Sequence, residues 1–95
     1  MTAEKITLQG HIDVPENRLA EIRAALPAHI ALTQAEPGCL VFRVTENLDI
    51  VGRFDVYEEF TDRKAFDAHQ TRGENSPWAE ITKGIPRHFQ ITKGP

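Results

Sequence analysis

Cysteine is almost absent from this chain of 95 residues. Cys39 stands alone, so no internal disulfide framework can staple the fold. With no lysine or arginine beside it in sequence, it reads as a small buried hydrophobe rather than a nucleophile. Long hydrophobic runs are missing too, and no apolar stretch approaches the roughly 20 residues that a membrane-spanning helix needs. The first residues lack the basic-then-apolar pattern of a secretory signal, and the expected compartment is cytoplasmic. Positive charge is in short supply. The formal net charge is −3 and the 11 lysines and arginines form no run, which argues against a nucleic-acid surface. No two histidines show a spacing such as His-x-x-x-His, so no metal site is expected. A glycine-rich phosphate cradle, a Ser-His-Asp motif, internal repeats and low-complexity segments are likewise missing.

What is present suits a folded globular chain: 40 % hydrophobic residues and mixed charge. The length implies one domain over residues 1–95. So short a domain buries only roughly two-thirds of its unfolded surface, so pairing with a second copy would add useful burial.

Lys5 to Val14 alternates as a strand, with Ile6, Leu8, Ile12 and Val14 on one side and Gly10 among them. Pro15 ends it and can serve as the first residue of a helix. Leu19, Ile22, Leu26, Ile30 and Thr33 then recur at helical spacing. Pro27 falls inside that run, where its missing N–H predicts a kink or a break into two short helices. Glu36-Pro37-Gly38 is a turn signal. A second strand from Cys39 to Glu46 is expected to put Leu40, Phe42 and Val44 on one face. A short connector then makes a hairpin with the third strand. A helical piece after Ser76-Pro77 carries Trp78 and Ile81, and a fourth strand carries Phe89 and Ile91. The order strand, helix, strand, strand, helix, strand predicts an α+β fold of the split βαβ type, with a four-stranded antiparallel sheet and helices on one face. Its other face would be bare, which again favours a homodimer.

The stretch from Arg53 to His69 organises the rest. Phe54, Val56, Glu58 and Phe60 share one face of the third strand. Thr61 or Asp62 caps the following helix, in which Ala65, Phe66 and His69 share the inward stripe. An acid on an apolar strand face, followed by an imidazole on an apolar helix face, is the pairing here that suggests chemistry.

Glu36-Pro37-Gly38-Cys39-Leu40, then Arg53-Phe54, Tyr57-Glu58 and Phe60, then Phe66-Asp67-Ala68-His69-Gln70, resemble the antibiotic biosynthesis monooxygenase family. Ser76-Pro77-Trp78 through Thr82-Lys83-Gly84-Ile85 looks like its quinol monooxygenase subgroup. The resemblance runs from about Ile6 to Ile91. It implies a ferredoxin-like fold that dimerises sheet to sheet into a dimeric α/β barrel. It also implies oxidation of a small quinol or phenolic aromatic by O₂ without a cofactor. Relatives on the same fold degrade haem, so fold membership does not fix the reaction.

His69 is the candidate general base, able to take a phenolic proton near neutral pH. The alternatives are a core histidine bonded to a carbonyl or to Glu58, or an iron ligand in a haem-handling relative. Glu58 is the second catalytic candidate, orienting His69 or binding a hydroxyl; it could equally pair with Arg43 or Arg53 across the hairpin. Trp78 could form a wall for a flat ring. Phe42, Phe54 and Phe66 are further substrate-binding candidates, though they suit core or interface as well. Arg43 could offer its fork to a phenolate or make an outward salt bridge. His11, His29 and His88 read as surface or edge residues. A non-catalytic dimeric module that binds a small apolar ligand fits the same pattern.

Overall fold

Alternation of apolar and polar side chains sets four strands, and the computed structural model describes residues 4–94 of the chain. They are β1 (Ile6–Asp13), β2 (Cys39–Glu46), β3 (Arg53–Phe60) and β4 (Arg87–Lys93). The helices are α1 (Leu19–Gln34), entered through a 3-10 turn at Glu16–Arg18, then α2 (Arg63–Glu74) and α3 (Pro77–Ile81). The strands form one sheet in the order β2-β3-β1-β4, with every neighbour antiparallel. This is the α+β, ferredoxin-like arrangement that the element order predicts.

Ile6, Leu8 and Ile12 of β1, Phe54, Val56 and Phe60 of β3, and Phe42 and Val44 of β2 turn one sheet face inward. Leu19, Ile22 and Leu26 of α1, Phe66 of α2, and Val14 and Ile85 from the connecting segments complete the core. Asp62 caps α2 by accepting a hydrogen bond from the Ala65 N–H at 2.8 Å. Ser76 caps α3 with Pro77 in its first turn. Gly38 closes the turn into β2 at φ +83°, and an added Cβ would stand 2.5 Å from the Ala65 Cβ. The turn therefore needs glycine both for backbone shape and for its approach to α2.

Three sequence expectations change. Pro27 does not break the helix, since α1 runs without interruption from Leu19 to Gln34. Pro27 lies exposed, so water can satisfy the Arg23 carbonyl that it leaves without a helical partner. Leu40 does not share the face of Phe42 and Val44. A register shift lies between Cys39, opposite Phe60, and Val41, opposite Glu59. The extra residue flips the parity, so half-buried Cys39 joins the core and Leu40 is 53 % exposed. His29 is neither surface nor edge. It is buried on α1 with Ile22, Leu26 and Thr33, because it stands seven residues from Ile22 and three from Leu26, on the same helical stripe.

Candidate functional site

Glu58 sits in the middle of β3, directly opposite Leu8 of β1 and Phe42 of β2. An acid flanked by two apolar residues in the centre of a sheet loses most of its hydration. Burial, and secondarily the negative charge of Glu36, push its carboxyl up to about 7. One of its oxygens, Oε1, is buried with no hydrogen-bond partner among the described residues. Facing it from α2 is His69, with Nε2 3.5 Å from that same Oε1. The separation is too long for a strong hydrogen bond, so the two groups confront one another without being joined.

The opposite ring nitrogen is tied down. His69 Nδ1 lies 2.9 Å from Glu36 Oε1, and a carboxylate only accepts, so the ring donates Nδ1–H and points Nε2, which carries a lone pair in the neutral ring, toward Glu58. Glu36 is held in turn by Arg72, whose Nε–H donates to its other oxygen. The same guanidinium donates to Thr33 Oγ1 at 3.1 Å, and Thr33 donates to the His29 carbonyl at 2.9 Å. The chain from α1 through α2 to the turn before β2 thus fixes both tautomer and direction of the imidazole.

A cavity of about 740 Å³ opens between the helices and the sheet, with Glu58, His69, Phe42, Val56, His29 and Trp78 among its lining. That volume lies within the range of small-molecule sites. Trp78 and His29 stack in parallel, ring centres 4.7 Å apart and planes 9° from coplanar. Burial, followed by repulsion from Arg72 and His69, lowers His29 to about 4, so its imidazole is neutral at neutral pH and makes a flat uncharged wall with the indole. Phe42 meets the His29 ring edge-on at 5.5 Å.

Of the residues singled out from sequence, His69, Glu58, Phe42 and Trp78 come together around this cavity. Phe54 does not; it is buried and faces a separate hollow beneath α1. Phe66 packs edge-on against Phe60 at 5.7 Å, away from the lining. Arg43 lies on the opposite face of the sheet, its guanidinium 5.5 Å over the Tyr57 ring. Nor does Glu58 pair with an arginine across the hairpin. Arg43 stands one position from its cross-strand partner Phe42, on the other face, and Arg53, five positions before Glu58 on β3, binds Asp13. Sequence reading missed Glu36, Arg72 and His29. His29 could have been found from its place on the apolar stripe of α1; Glu36 and Arg72 carry no such signal.

The antibiotic biosynthesis monooxygenase family profile matches residues 5–80. No curated protein matches the sequence. Among solved structures, one from Nitrosomonas europaea that carries the same family name superposes with a TM-score of 0.81 at 22 % identity, covering 99 % of this chain and 92 % of that one. Another with that family name, from Deinococcus radiodurans, gives 0.71 at 22 % identity, covering 96 % and 90 %. MupZ from Pseudomonas fluorescens gives 0.76 at 18 % identity, covering 96 % of this chain and 68 % of MupZ. At such identities the likeness is one of fold.

Proposed function

The chain belongs to the antibiotic biosynthesis monooxygenase family, and from that premise we propose that it oxidises a small quinol or phenolic aromatic with O₂. Family and fold support a monooxygenase or small-molecule-binding role at the coarser level. The observation that carries the finer reading is the buried, unjoined pair of His69 Nε2 and Glu58 Oε1 on the wall of an aromatic-lined cavity. A hydroxyl seated beside both atoms, within reach of each, would meet an acceptor in Nε2 and, below pH about 7, a protonated carboxyl in Glu58.

In this reading the ring of the substrate lies along the Trp78–His29 wall. Its hydroxyl gives a proton to Nε2 while Glu36 holds the imidazole from behind. The resulting phenolate transfers one electron to O₂, and the ring radical and superoxide combine into a peroxide. Proton return from the imidazolium or from Glu58 gives the hydroperoxide; loss of the hydrogen from the carbon that bears it then breaks the O–O bond, releasing water and leaving one oxygen atom on the ring as a carbonyl. Burial strengthens each of these electrostatic contacts relative to water.

A second copy covers the sheet's outer face in the same reading. All seven residues of β4 are exposed; Phe89 and Ile91, opposite Gly10 and Leu8, face the helix side of the sheet and leave apolar surface at its open edge as well. Oxygen uptake with a panel of hydroquinones tests the reaction. Substrate-dependent consumption by wild type, reduced at least a hundredfold in His69→Ala, is expected. Equal rates in the two proteins would remove His69 from the chemistry. Aromatic binding without any oxygen uptake would identify a ligand-binding module.

A further inference from the structure

On the outer face of the sheet, the same face that the proposed second copy would cover, and away from the cavity, β1 and β4 bring together three potential metal ligands. His11 and Asp13 are two apart on β1 and so project from the same face, and His88 lies directly across from His11 in the β1–β4 register. One donor atom from each residue falls within 4.8 Å of the others. Both imidazoles present Nε2 to the same carboxylate oxygen: His11 at 3.6 Å and His88 at 3.8 Å from Asp13 Oδ2. At those separations neither ring is hydrogen-bonded to the carboxylate. The rings lie 4.9 Å apart, tilted by 35°.

We propose that His11, Asp13 and His88 bind a divalent transition-metal ion of borderline softness, such as Zn²⁺. Two imidazoles and one carboxylate are the donor set that such ions select, and three protein ligands leave a position for water. Metal–nitrogen and metal–oxygen bonds of about 2.0–2.2 Å put donors of a tetrahedral site about 3.3–3.5 Å apart. The two observed nitrogen–oxygen separations exceed that by a few tenths of an ångström, within reach of small side-chain rotations. Arg53 supports the arrangement from outside. Its Nε–H donates to Asp13 Oδ1 at 2.9 Å, while its terminal nitrogen reaches Oδ2 only at 3.4 Å. The carboxylate is therefore held mainly through Oδ1 and turns Oδ2, which carries only the longer Arg53 contact, toward the histidines, the role that outer partners of metal-ligating acids play. An ion held here would tie the edge strand β4 to β1. Sequence spacing did not reveal the cluster because its members meet across a strand pair separated by more than seventy residues.

The test is calorimetric titration of Zn²⁺ into the untagged chain, repeated with Co²⁺ while following visible absorption. One ion per chain is expected, with a Co²⁺ spectrum of four-coordinate intensity. His88→Ala and His11→Ala should each weaken binding at least tenfold, and His69→Ala should leave it unchanged. His88 is exposed, so its variant keeps the fold, which circular dichroism checks. Absence of saturable binding would overturn the proposal. So would binding that survives both outer-face variants, or that is lost with His69→Ala instead.

Discussion

Glu58→Gln isolates the energetic consequence of placing an acid in the centre of the sheet. Glutamine keeps the shape of the side chain and never ionises. In the folded protein the Glu58 carboxyl titrates at about 7, against an ordinary value of 4.5, chiefly because burial penalises its charged form. The folded state therefore holds a proton between those values that the unfolded chain has released. The stability linked to this group is complete below pH 4.5 and is lost as pH rises through about 7. At 1.36 kcal/mol per pH unit, the interval amounts to about 3 kcal/mol. Wild type and variant should thus be alike near pH 4.5, and by pH 8 the variant should be the more stable by up to about 3 kcal/mol. Urea unfolding at several pH values, at one fixed protein concentration so that any self-association cancels, measures the difference. Parallel curves for the two proteins from pH 5 to pH 8 would refute the claim that Glu58 is ionised only at a cost.

Three other substitutions probe the surroundings of the imidazole. Arg72→Ala removes the partner that holds Glu36 and should cost about 1–3 kcal/mol of stability, read by urea unfolding, through an under-satisfied carboxylate; unchanged stability would show that the Arg72–Glu36 contact carries nothing. Trp78→Ala uncovers His29 from one side and should raise its titration from about 4 toward the ordinary 6.5. An NMR pH titration follows this, and a value that stays near 4 would place the burial elsewhere. Gly38→Ala sets a methyl group 2.5 Å from the Ala65 Cβ at a positive φ and should destabilise by about 1–3 kcal/mol in thermal or urea unfolding; a neutral result would contradict the packing described for that turn.

Much of the fold was legible because strand alternation and helical spacing are local. Ile6, Leu8 and Ile12 mark their strand without reference to anything else, as do Phe54, Val56 and Phe60. Leu40 misled because a bulge is decided by pairing: only the partners of Cys39 and Val41 on β3 reveal the extra residue. Pro27 misled for a related reason, since the cost of a helical proline depends on whether water reaches the freed carbonyl. His69 and Glu58 stood out as polar residues on apolar faces, and their opposition needs only the strand-to-helix corner that joins them. The support behind His69 was not legible. Glu36 looks like part of a turn and Arg72 like a solvated helix residue, and they meet only after β2 and α2 have packed. Phe54, Phe66 and Arg43 were drawn toward the cavity by residue type, but each faces another part of the molecule.

Nitrogen-15 NMR of the His69 ring, recorded without oxygen before and after adding a hydroquinone, puts the account to its most direct test. The free protein should show hydrogen on Nδ1 and a bare Nε2, because Glu36 accepts from the former. Adding the hydroquinone should shift Nε2 strongly as it takes the phenolic hydrogen. A ring carrying its hydrogen on Nε2, or an Nε2 resonance that ignores a bound hydroquinone, would contradict the assignment of His69 as the base.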